Sequence, residues 1–371
     1  MAIDNPAVYD GTMTFRTFWL LALVFGACAS HAAAVANSDG PVAFDAPAPD
    51  SGTAPPPANP CSPLTGTALS VSTAADLIAA LASATVGTTI LLADGIYAGT
   101  FTTGANSGTA QNPIAICGSR SATLDGGSTA SGTVLHITQS YWVVAGITVR
   151  NGQKGVVLDN AAHSLLTGIL VTEIGDEGVH FRSNSSDNRL TQSEIRGTGK
   201  YSPGFGEGVY IGSAVSNWAK ITGGTPDQSD RNIVDNNIIA DTTAECVDIK
   251  EGSSFGVIAS NRFDGGSLSG QNYADSWIDV KGHGYTITGN TGVNASAAVT
   301  TGFQVHVVSG DAGIIPNSGN DNVFSGNSLD LTGSSASAGI SVQATATGNI
   351  VRCDNTVIPS TTPLLASGSC S

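Results

Sequence analysis

The sequence has little of what sustains an α-helical protein. Only 12% of its residues are charged and 6% are aromatic, while 46 of the 371 residues are glycine. Glu, Lys, Arg and Leu, which favour helices, give way to Val, Ile, Thr, Ser, Asn and Gly, which favour strands and turns. These shortages argue against a helical fold and predict a secreted, repetitive all-β protein.

Positive charge is scarce as well. The chain has 14 Lys plus Arg against 29 Asp plus Glu, which gives a formal net charge of -15. Such a chain repels a phosphate backbone, so wholesale nucleic-acid binding is excluded. A polyanion could be accepted only at a local cationic patch or through a bridging metal ion.

Long apolar runs are missing. A short apolar run near the amino terminus, residues 18–25, is too short to span a bilayer. Arg16 precedes this run and small residues follow it, so residues 1–32 are predicted to be a signal peptide, with Met13 as an alternative start. A lipoprotein signal ending at Cys28 is a second interpretation. Residues 33–60, rich in Pro and Ala, are predicted to be a disordered linker, and residues 61–371 the folded domain. We therefore expect a secreted monomer that does not cross a membrane.

Cysteines are few, and five of them follow the predicted signal peptide. Export permits disulfides, and we expect Cys353 to pair with Cys370 and Cys61 with Cys117. Cys246 is then left over and is expected to point outward beneath an insertion. No Cys-His pair is evident in the sequence, so a cysteine nucleophile is not expected.

A repeated hexapeptide is the strongest pattern present. Apolar residues alternate with residues whose chemistry changes from copy to copy, which is typical of a strand with one buried face. The copies are residues 177–182, 207–212, 245–250, 276–281 and 301–306. The repeat predicts stacked strands, and function should lie at its variable, outward positions.

A second repeat has an apolar residue, two spacers, and then Asn or a substitute. Its copies are Leu190 to Ser193, Ile233 to Asn236, Ile258 to Asn261, Ile287 to Asn290 and Phe324 to Asn327. Asparagines recurring at a turn can stack into an internal ladder that bonds unpaired backbone groups. With an amphipathic helix predicted over residues 74–81 as a cap, the sequence predicts a single-stranded, right-handed parallel β-helix of about ten coils. A propeller or sandwich, built on evenly spaced hairpins, fits less well.

Charged residues concentrate at the outward positions of two adjacent copies. They are Asp248, Lys250, Asp279 and Lys281. β-Elimination next to a uronate carboxylate needs that carboxylate neutralised, a base for the proton and an acid for the leaving oxygen. A lysine beside a second cation has a lowered pKa and can serve as the base, so Lys250 and Lys281 are the candidate catalytic pair. The insertion after Ile211, which holds Trp218 and Lys220, is expected to wall the same surface.

Other interpretations of the same residues stay open. Facing Asp and Lys residues on a sheet are commonly solvated surface pairs, and the protein could be a non-catalytic carbohydrate-binding or cell-surface β-helix protein. A uronate C5-epimerase would use nearly the same proton abstraction. A glycoside hydrolase of the polygalacturonase type is disfavoured, because no Asp-Asp pair stands next to a glycine-flanked His.

Three segments resemble polysaccharide lyase family six, which includes chondroitinase B and alginate lyases. Residues 90–97 and 107–114 are similar to the opening coils of that family, and residues 244–250 to the stretch in which a calcium-binding Glu precedes the catalytic Lys. The resemblance implies a secreted lyase of an acidic polysaccharide. It also implies that Glu245 binds Ca²⁺, that Lys250 is the general base, and that Lys281 takes the place of the acid.

The full candidate site follows from the charged cluster and its neighbours. The expected Ca²⁺ ligands are Glu245, Asp248 and Asp279, since calcium prefers carboxylate oxygens. The residues expected to contact an acidic polysaccharide are Arg182, Glu207, Tyr210 and His306.

Overall fold

Three parallel sheets, of 11, 10 and 9 strands, account for almost all the regular structure of the described chain. The computed structural model describes residues 66–310 and 313–371, and these belong to one compact unit. The predicted signal peptide, the linker and Cys61, the predicted partner of Cys117, lie outside the described residues. No described helix is long and apolar enough to cross a membrane.

The strands are short and recur in a fixed order. The first sheet contains Ala68–Val71, Thr89–Leu92, Ile114–Cys117, Trp142–Ala145, Leu165–Thr167, Arg189–Thr191, Ile233–Asp235, Val257–Ala259, Thr286–Thr288, Val323–Ser325 and Ile350–Val351. The second sheet contains Gly95–Ala98, Ala122–Asp125, Thr148–Arg150, Leu170–Thr172, Glu194–Arg196, Ile238–Ala240, Arg262–Asp264, Thr291–Val293, Ser328–Asp330 and Thr356–Ile358. The third sheet contains Phe101–Thr102, Thr133–Ile137, Lys154–Asp159, Val179–Arg182, Val209–Ile211, Val247–Ile249, Ile278–Val280, Thr301–Val305 and Ala338–Val342.

A few elements lie outside these sheets. The α-helices are Ala74–Ser83 and Trp218–Ile221, and the 3-10 helices are Pro203–Phe205, Val215–Asn217 and Gln271–Tyr273. A small antiparallel pair joins Ser309–Gly310 to Gly313–Ile314.

The chain visits the first, second and third sheets in turn and then returns to the first. Each strand therefore pairs with its counterparts in the preceding and following coils: Val247 is opposite Val209 on one side and Ile278 on the other. Every such pairing within the three sheets is parallel, so the coils stack along one axis. This confirms the predicted parallel β-helix of about ten coils.

The predicted capping helix is present as Ala74–Ser83. Thr73 caps its amino end by accepting a hydrogen bond from the Asp76 backbone N–H at 3.1 Å. Its apolar face buries Leu77 and Leu81 against the first strands, as the three- and four-residue spacing predicts.

The five hexapeptides all form strands of the third sheet and stack in the predicted frame. Phe181 is opposite Ile211, Val247 is opposite Ile278, and Val280 is opposite Val305 in the strand register. These inward side chains are fully or almost fully buried. Burial of each apolar side chain of this size contributes about 1.5–3 kcal/mol to stability. The stacked inward side chains therefore stabilise the third sheet, whose outer face carries the variable residues of the hexapeptides.

The asparagine ladder exists, but one of its predicted members is wrong. Asn237, not Asn236, accepts a hydrogen bond from the Ser193 backbone N–H, and Asn261 accepts one from Asn237 at 3.0 Å. The ladder continues through Asn290, Asn327 and Asn355. Asn236 is exposed and turns the chain at a φ of 56°. Two adjacent asparagines satisfy the sequence pattern almost equally well, and only the one that follows Val234 by three residues faces inward.

The cysteines divide into a confirmed pair and a correction. Cys353 and Cys370 form the predicted disulfide. Cys246 does not point outward; it is fully buried in the core, and burial raises the pKa of its thiol to about 12. The backbone bends where the strand begins, so Cys246 and Val247 both face inward. Gly208 takes the same place one coil earlier, where a Cβ would come within 2.4 Å of Ile239.

Candidate active site

One row of side chains runs along the outer face of the third sheet, across neighbouring coils. His180 is opposite Tyr210, Tyr210 opposite Asp248, and Asp248 opposite Asp279. The row continues to Gln304, which is opposite Asp279. Because paired strands are about 4.8 Å apart, these polar groups are close neighbours along the row.

A second row stands just before the strands and consists of Glu177, Glu207 and Glu245. Strict alternation would turn these side chains inward, but the same bend that buries Cys246 turns them toward the outer face. Glu207 and Glu245 line the cavity described next, and Glu177 lines its neighbour. The carboxyl groups of all three glutamates are buried.

A cavity of about 400 Å³, the first cavity, lies over the coils of Val247–Ile249 and Ile278–Val280. It brings together all the residues predicted as catalytic or metal-binding, and two of those predicted to contact substrate, Glu207 and His306. Its remaining lining residues are Asn272, Tyr273, Asp275 and Gln304. Segment 272–275 belongs to neither repeat, and in the sequence only the gap between residues 250 and 276 marks a loop there.

The two candidate catalytic lysines share one carboxylate. Lys250 Nζ lies 2.6 Å from Asp248 Oδ2, and Lys281 Nζ lies 3.0 Å from Asp248 Oδ1. Lys281 Nζ also lies 2.5 Å from Asp279 Oδ2. Both lysine side chains keep some exposure, 14% and 16%, while Asp248 keeps 3%. The ammonium groups therefore face the cavity and the carboxylate lies beneath them.

The charge state of these lysines differs from the sequence-based expectation. Burial lowers the pKa of Lys250, but the adjacent Asp248 carboxylate outweighs burial and raises the pKa above its ordinary value. The pKa of Lys281 is raised in the same way by Asp248 and Asp279, although burial and the Lys250 charge oppose them. The expected lowering of the lysine pKa by a like charge is therefore wrong, because each ammonium lies closer to a carboxylate. Both lysines are protonated in the resting site.

Two glutamates of the second row, Glu207 and Glu245, behave in the opposite way. The third, Glu177, is buried too, but hydrogen bonds and charges from His180 and Lys154 lower its pKa to about 2. Burial raises the pKa of Glu207 to about 8, and the charges of Glu177 and Asp248 act in the same direction. Burial, with Asp248 as the next largest cause, also raises the pKa of Glu245 well above its ordinary value. Glu207 Oε2 is buried and forms no hydrogen bond with any described residue. At neutral pH the carboxyl group of Glu207 therefore keeps a proton and can donate a hydrogen bond.

Two ring side chains flank the lysine pair. Tyr210 places its ring centroid 4.9 Å from Lys250 Nζ, and burial with the Asp248 charge raises the pKa of its hydroxyl well above the ordinary value. On the other side, His306 Nδ1 lies 2.8 Å from Asp279 Oδ1. This hydrogen bond raises the pKa of His306 although partial burial opposes it. The lysine pair thus has a neutral phenol on one side and an imidazole held by a carboxylate on the other.

Three carboxyl groups, those of Glu207, Glu245 and Asp248, offer oxygen atoms within 4.8 Å of one another and could bind a metal ion. Calcium takes about 6–8 oxygen ligands. Both Asp248 oxygens already hold ammonium groups, and the Asp279 oxygens hold Lys281 and His306. While the lysines keep these positions, the residues do not fit a calcium ion, since a dication would stand beside two ammonium groups.

A second cavity, of about 460 Å³, adjoins the first along the axis of the β-helix. It contains Tyr210 and Arg182, the other residues predicted to contact substrate. Arg182 donates two hydrogen bonds to Asp159, at 2.7 and 3.0 Å. The predicted site residues thus lie on one face but in two neighbouring cavities, which meet at the coil of Val209–Ile211.

Loops of unequal length wall both cavities. The expected insertion after Ile211 is held by Asp227, which is fully buried and accepts hydrogen bonds from the backbone N–H groups of Ser183 and Asn184. The other wall lies on the side of Glu207 and Glu245. There Asn272 donates a hydrogen bond to the Gly204 carbonyl at 3.0 Å, which joins two loops. The sheet face between these walls is a groove with room for an extended polymer.

The comparisons with known proteins agree with this geometry. The crystal structure of alginate lyase from Paenibacillus sp. str. FPU-7 has 35% identity to the chain and a TM-score of 0.75, over 82% of this chain and 99% of that one. Pectate lyase Pel9A, at 16% identity and a TM-score of 0.51, covers 72% of this chain and 73% of its own, which shows a shared fold.

A mannuronic acid specific polysaccharide family 6 lyase from human gut microbiota has 15% identity and a TM-score of 0.49, over 75% of this chain and 66% of that one. No family model matches the chain, and the search of curated proteins found no match. The identity and coverage of the first comparison decide the question. The chain belongs to the same polysaccharide lyase family as the Paenibacillus enzyme, and the resemblance to polysaccharide lyases seen in the sequence is confirmed.

Proposed function

We propose that the protein cleaves alginate, a uronate polymer, by β-elimination. The observation that carries this proposal is the buried cluster in which Lys250 and Lys281 share Asp248 on the floor of an open groove. The activity named for the Paenibacillus relative supplies the polymer. In the reaction the C5–H bond and the bond from C4 to the glycosidic oxygen break, and a C4–C5 double bond forms.

Neutralisation of the substrate carboxylate falls to Lys281. Its ammonium lies between Asp248 and Asp279, so it keeps its proton and its charge throughout. The protonated Glu207 adds a hydrogen-bond donor whose Oε2 has no partner among the described residues. Together they draw electron density from the carboxylate and make the neighbouring C5 proton more acidic.

The base in this proposal is Lys250, which must first lose its own proton. Asp248 lies 2.6 Å away and is the acceptor within reach. A bound uronate excludes water, and the loss of water favours a neutral Asp248 beside a neutral amine over a charged pair. The amine then takes the C5 proton.

Tyr210 is proposed as the proton donor to the leaving oxygen, a role that the sequence analysis gave to Lys281. Its hydroxyl keeps its proton because its pKa is raised, and it forms no hydrogen bond with a described residue. Its ring is adjacent to Lys250 Nζ, so donor and base lie on the same side of the substrate. No step is assigned to calcium, because the lysine charges do the work for which calcium was predicted.

The proposed place of action is outside the cell. The Cys353–Cys370 disulfide supports export, since such bonds persist in oxidising compartments. We also propose a monomer, because sheet edges occur only at the two ends of the described solenoid and Ala74–Ser83 covers one of them. Light scattering on the purified secreted protein measures its mass in solution directly.

The experiment is incubation with alginate, pectate, glucuronan and glycosaminoglycans, followed by ultraviolet absorbance of the unsaturated uronate. We expect product from alginate, and a loss of roughly 10²–10⁴-fold in kcat for Lys250→Ala. Lys200→Ala is the control, because Lys200 is a surface lysine outside both cavities. Full activity of Lys250→Ala would refute the mechanism. Polymer bound without product would support a binding protein, and altered uronate stereochemistry without cleavage would indicate a C5-epimerase.

A further inference from the structure

The second cavity continues the same groove beyond Tyr210, and its other lining residues have no part in the bond-breaking step. It lies over the strands Lys154–Asp159, Val179–Arg182 and Val209–Ile211 of the third sheet. Glu207 lines the first cavity and Tyr210, three residues later on the same coil, lines the second. A chain held with one sugar over the lysine pair therefore extends its next sugars into the second cavity.

The charges in this cavity are mostly paired, and one cation is left over. Lys154 forms an ion pair with Glu177, and Arg182 with Asp159. Lys220, which also lines the cavity, is exposed and forms no ion pair with any residue in the described part of the chain. Its ammonium is thus available to a negatively charged ligand.

An aromatic side chain stands on the opposite wall. Phe205 lines the cavity with 57% of its surface exposed, in the loop that precedes Val209–Ile211. Lys220 lies in the helix Trp218–Ile221, in the loop that follows the same strand. The two side chains therefore enter the cavity from opposite ends of one strand.

The position of Lys220 is fixed by its neighbours. Trp218 is buried, and its indole Nε1 donates a hydrogen bond to the Ser213 carbonyl at 2.9 Å. Ser213 in turn donates to the buried Asp227, at 2.5 Å. The short helix is therefore tied to the sheet, and Lys220 is presented at the cavity rather than on a free loop.

We propose that the second cavity is a sugar-binding subsite for a uronate residue next to the one being cleaved. Lys220 pairs with the carboxylate of that residue, and Phe205 packs against the apolar face of its ring. This inference rests on the proposed function, which supplies the acidic polymer. It adds residues that set the preferred chain length and do not take part in bond breaking.

The test uses Lys220→Met and Phe205→Ala in the full chain, with alginate oligosaccharides of graded length. Lys200→Met and Tyr201→Ala are the matched controls, since both residues are exposed and line neither cavity. We expect KM for long oligosaccharides to rise ~10-fold for each subsite variant, with kcat within about twofold, since one such contact is worth about a factor of ten. The shortest oligosaccharide that is cleaved should show no change.

Equal KM changes in Lys220→Met and Lys200→Met would overturn the subsite, as would an effect on the shortest oligosaccharide as large as on long ones. A binding measurement separates this failure from that of the proposed function. Calorimetry with long oligosaccharides in a Lys250→Ala background should give a Kd weakened ~10-fold by Lys220→Met. If the wild-type protein releases no unsaturated product, the lyase proposal fails alone, and the Kd comparison still decides the subsite.

Discussion

Lys250 and Lys281 bind opposite oxygens of a single buried carboxylate, that of Asp248, at 2.6 and 3.0 Å. Two ammonium groups in neighbouring coils would repel each other if nothing lay between them. Asp248 offsets that repulsion. In the proposed mechanism Lys250 stays charged until substrate arrives, and Lys281 stays charged throughout. The carboxylate is therefore as important to the proposed mechanism as the two lysines.

Asp248→Asn should damage both stability and activity. The substitution leaves Lys250 as a buried charge without a full partner, which costs about 3–5 kcal/mol in unfolding free energy, and removes the proposed proton acceptor. We expect kcat to fall by roughly 100-fold or more. Denaturant unfolding and the ultraviolet assay measure the two effects.

A double variant provides the control for Asp248→Asn. If the stability loss comes from the unpaired ammonium, Asp248→Asn with Lys250→Met should be more stable than the sum of the single effects predicts. Additive losses would contradict the pairing, while activity should stay absent in the double variant.

Chelation should leave the activity intact. The lysine ammonium groups lie beside the acidic triad of Glu207, Glu245 and Asp248 and disfavour a bound dication. We therefore expect EDTA to change the initial rate on alginate by less than about twofold. The assay is run with and without added Ca²⁺ after extensive dialysis. A large loss with EDTA that Ca²⁺ restores would show that calcium displaces the lysines and would return Glu245 to its predicted role as a ligand.

Glu207→Gln should make the protein more stable at alkaline pH. Burial raises the pKa of Glu207 to about 8 in the folded protein, whereas an unfolded chain has a glutamate pKa of about 4.3. Between these values the unfolded state releases a proton that the folded state keeps, so the wild type loses stability as pH rises. The loss is at most ~1.4 kcal/mol per pH unit and ends above the folded pKa.

Glutamine carries no such penalty, so the unfolding free energy of Glu207→Gln should exceed that of the wild type by a margin that grows from about pH 4.5 to pH 8. Urea unfolding across this range measures it. A margin that is constant with pH would mean that Glu207 is ionised in the folded protein.

The asparagine ladder gives a test of the fold itself. Asn237→Ala removes an amide that donates hydrogen bonds to Leu190 and Asn261 inside the β-helix. Buried backbone groups are then unpaired, which lowers the free energy of unfolding by about 1–3 kcal/mol. Asn236→Gly is the matched control, because Asn236 is exposed and glycine accepts its positive φ. Thermal unfolding should separate the two variants clearly, and equal losses would contradict the ladder.

Much of the fold could be predicted because strand stacking leaves a regular trace. The alternation in the hexapeptides identified the buried face, and their gap-free overlay matched the register in which Tyr210 is opposite Asp248 and Asp248 is opposite Asp279. Clustering of outward charge then located the first cavity. The helix over Ala74–Ser83 was equally accessible, because its apolar spacing and Thr73 cap are local signals.

The remaining features depend on distances that a sequence does not contain. A single bend in the backbone decides that Glu245 faces outward and that Cys246 is buried, and period-two counting cannot register it. The pKa of Lys250 depends on whether Asp248 or Lys281 is closer. The loops that bring Tyr273 and Phe205 to the groove are irregular, so only their length was visible beforehand.

Unequal loops between equal coils have an evolutionary consequence. Asn188 and Asn232 are 44 residues apart and Asn237 and Asn261 only 24, yet both pairs make the same 3.0 Å hydrogen bond from backbone N–H to side-chain oxygen. The hydrogen bonds of the interior do not depend on the length of the loops outside it. Closing a loop twice as long costs only about 0.6 kcal/mol. The segment between Ser213 and Asp227 can therefore be exchanged as a cassette, so that preference for polymer length or charge can diverge between relatives while the lysine chemistry stays the same.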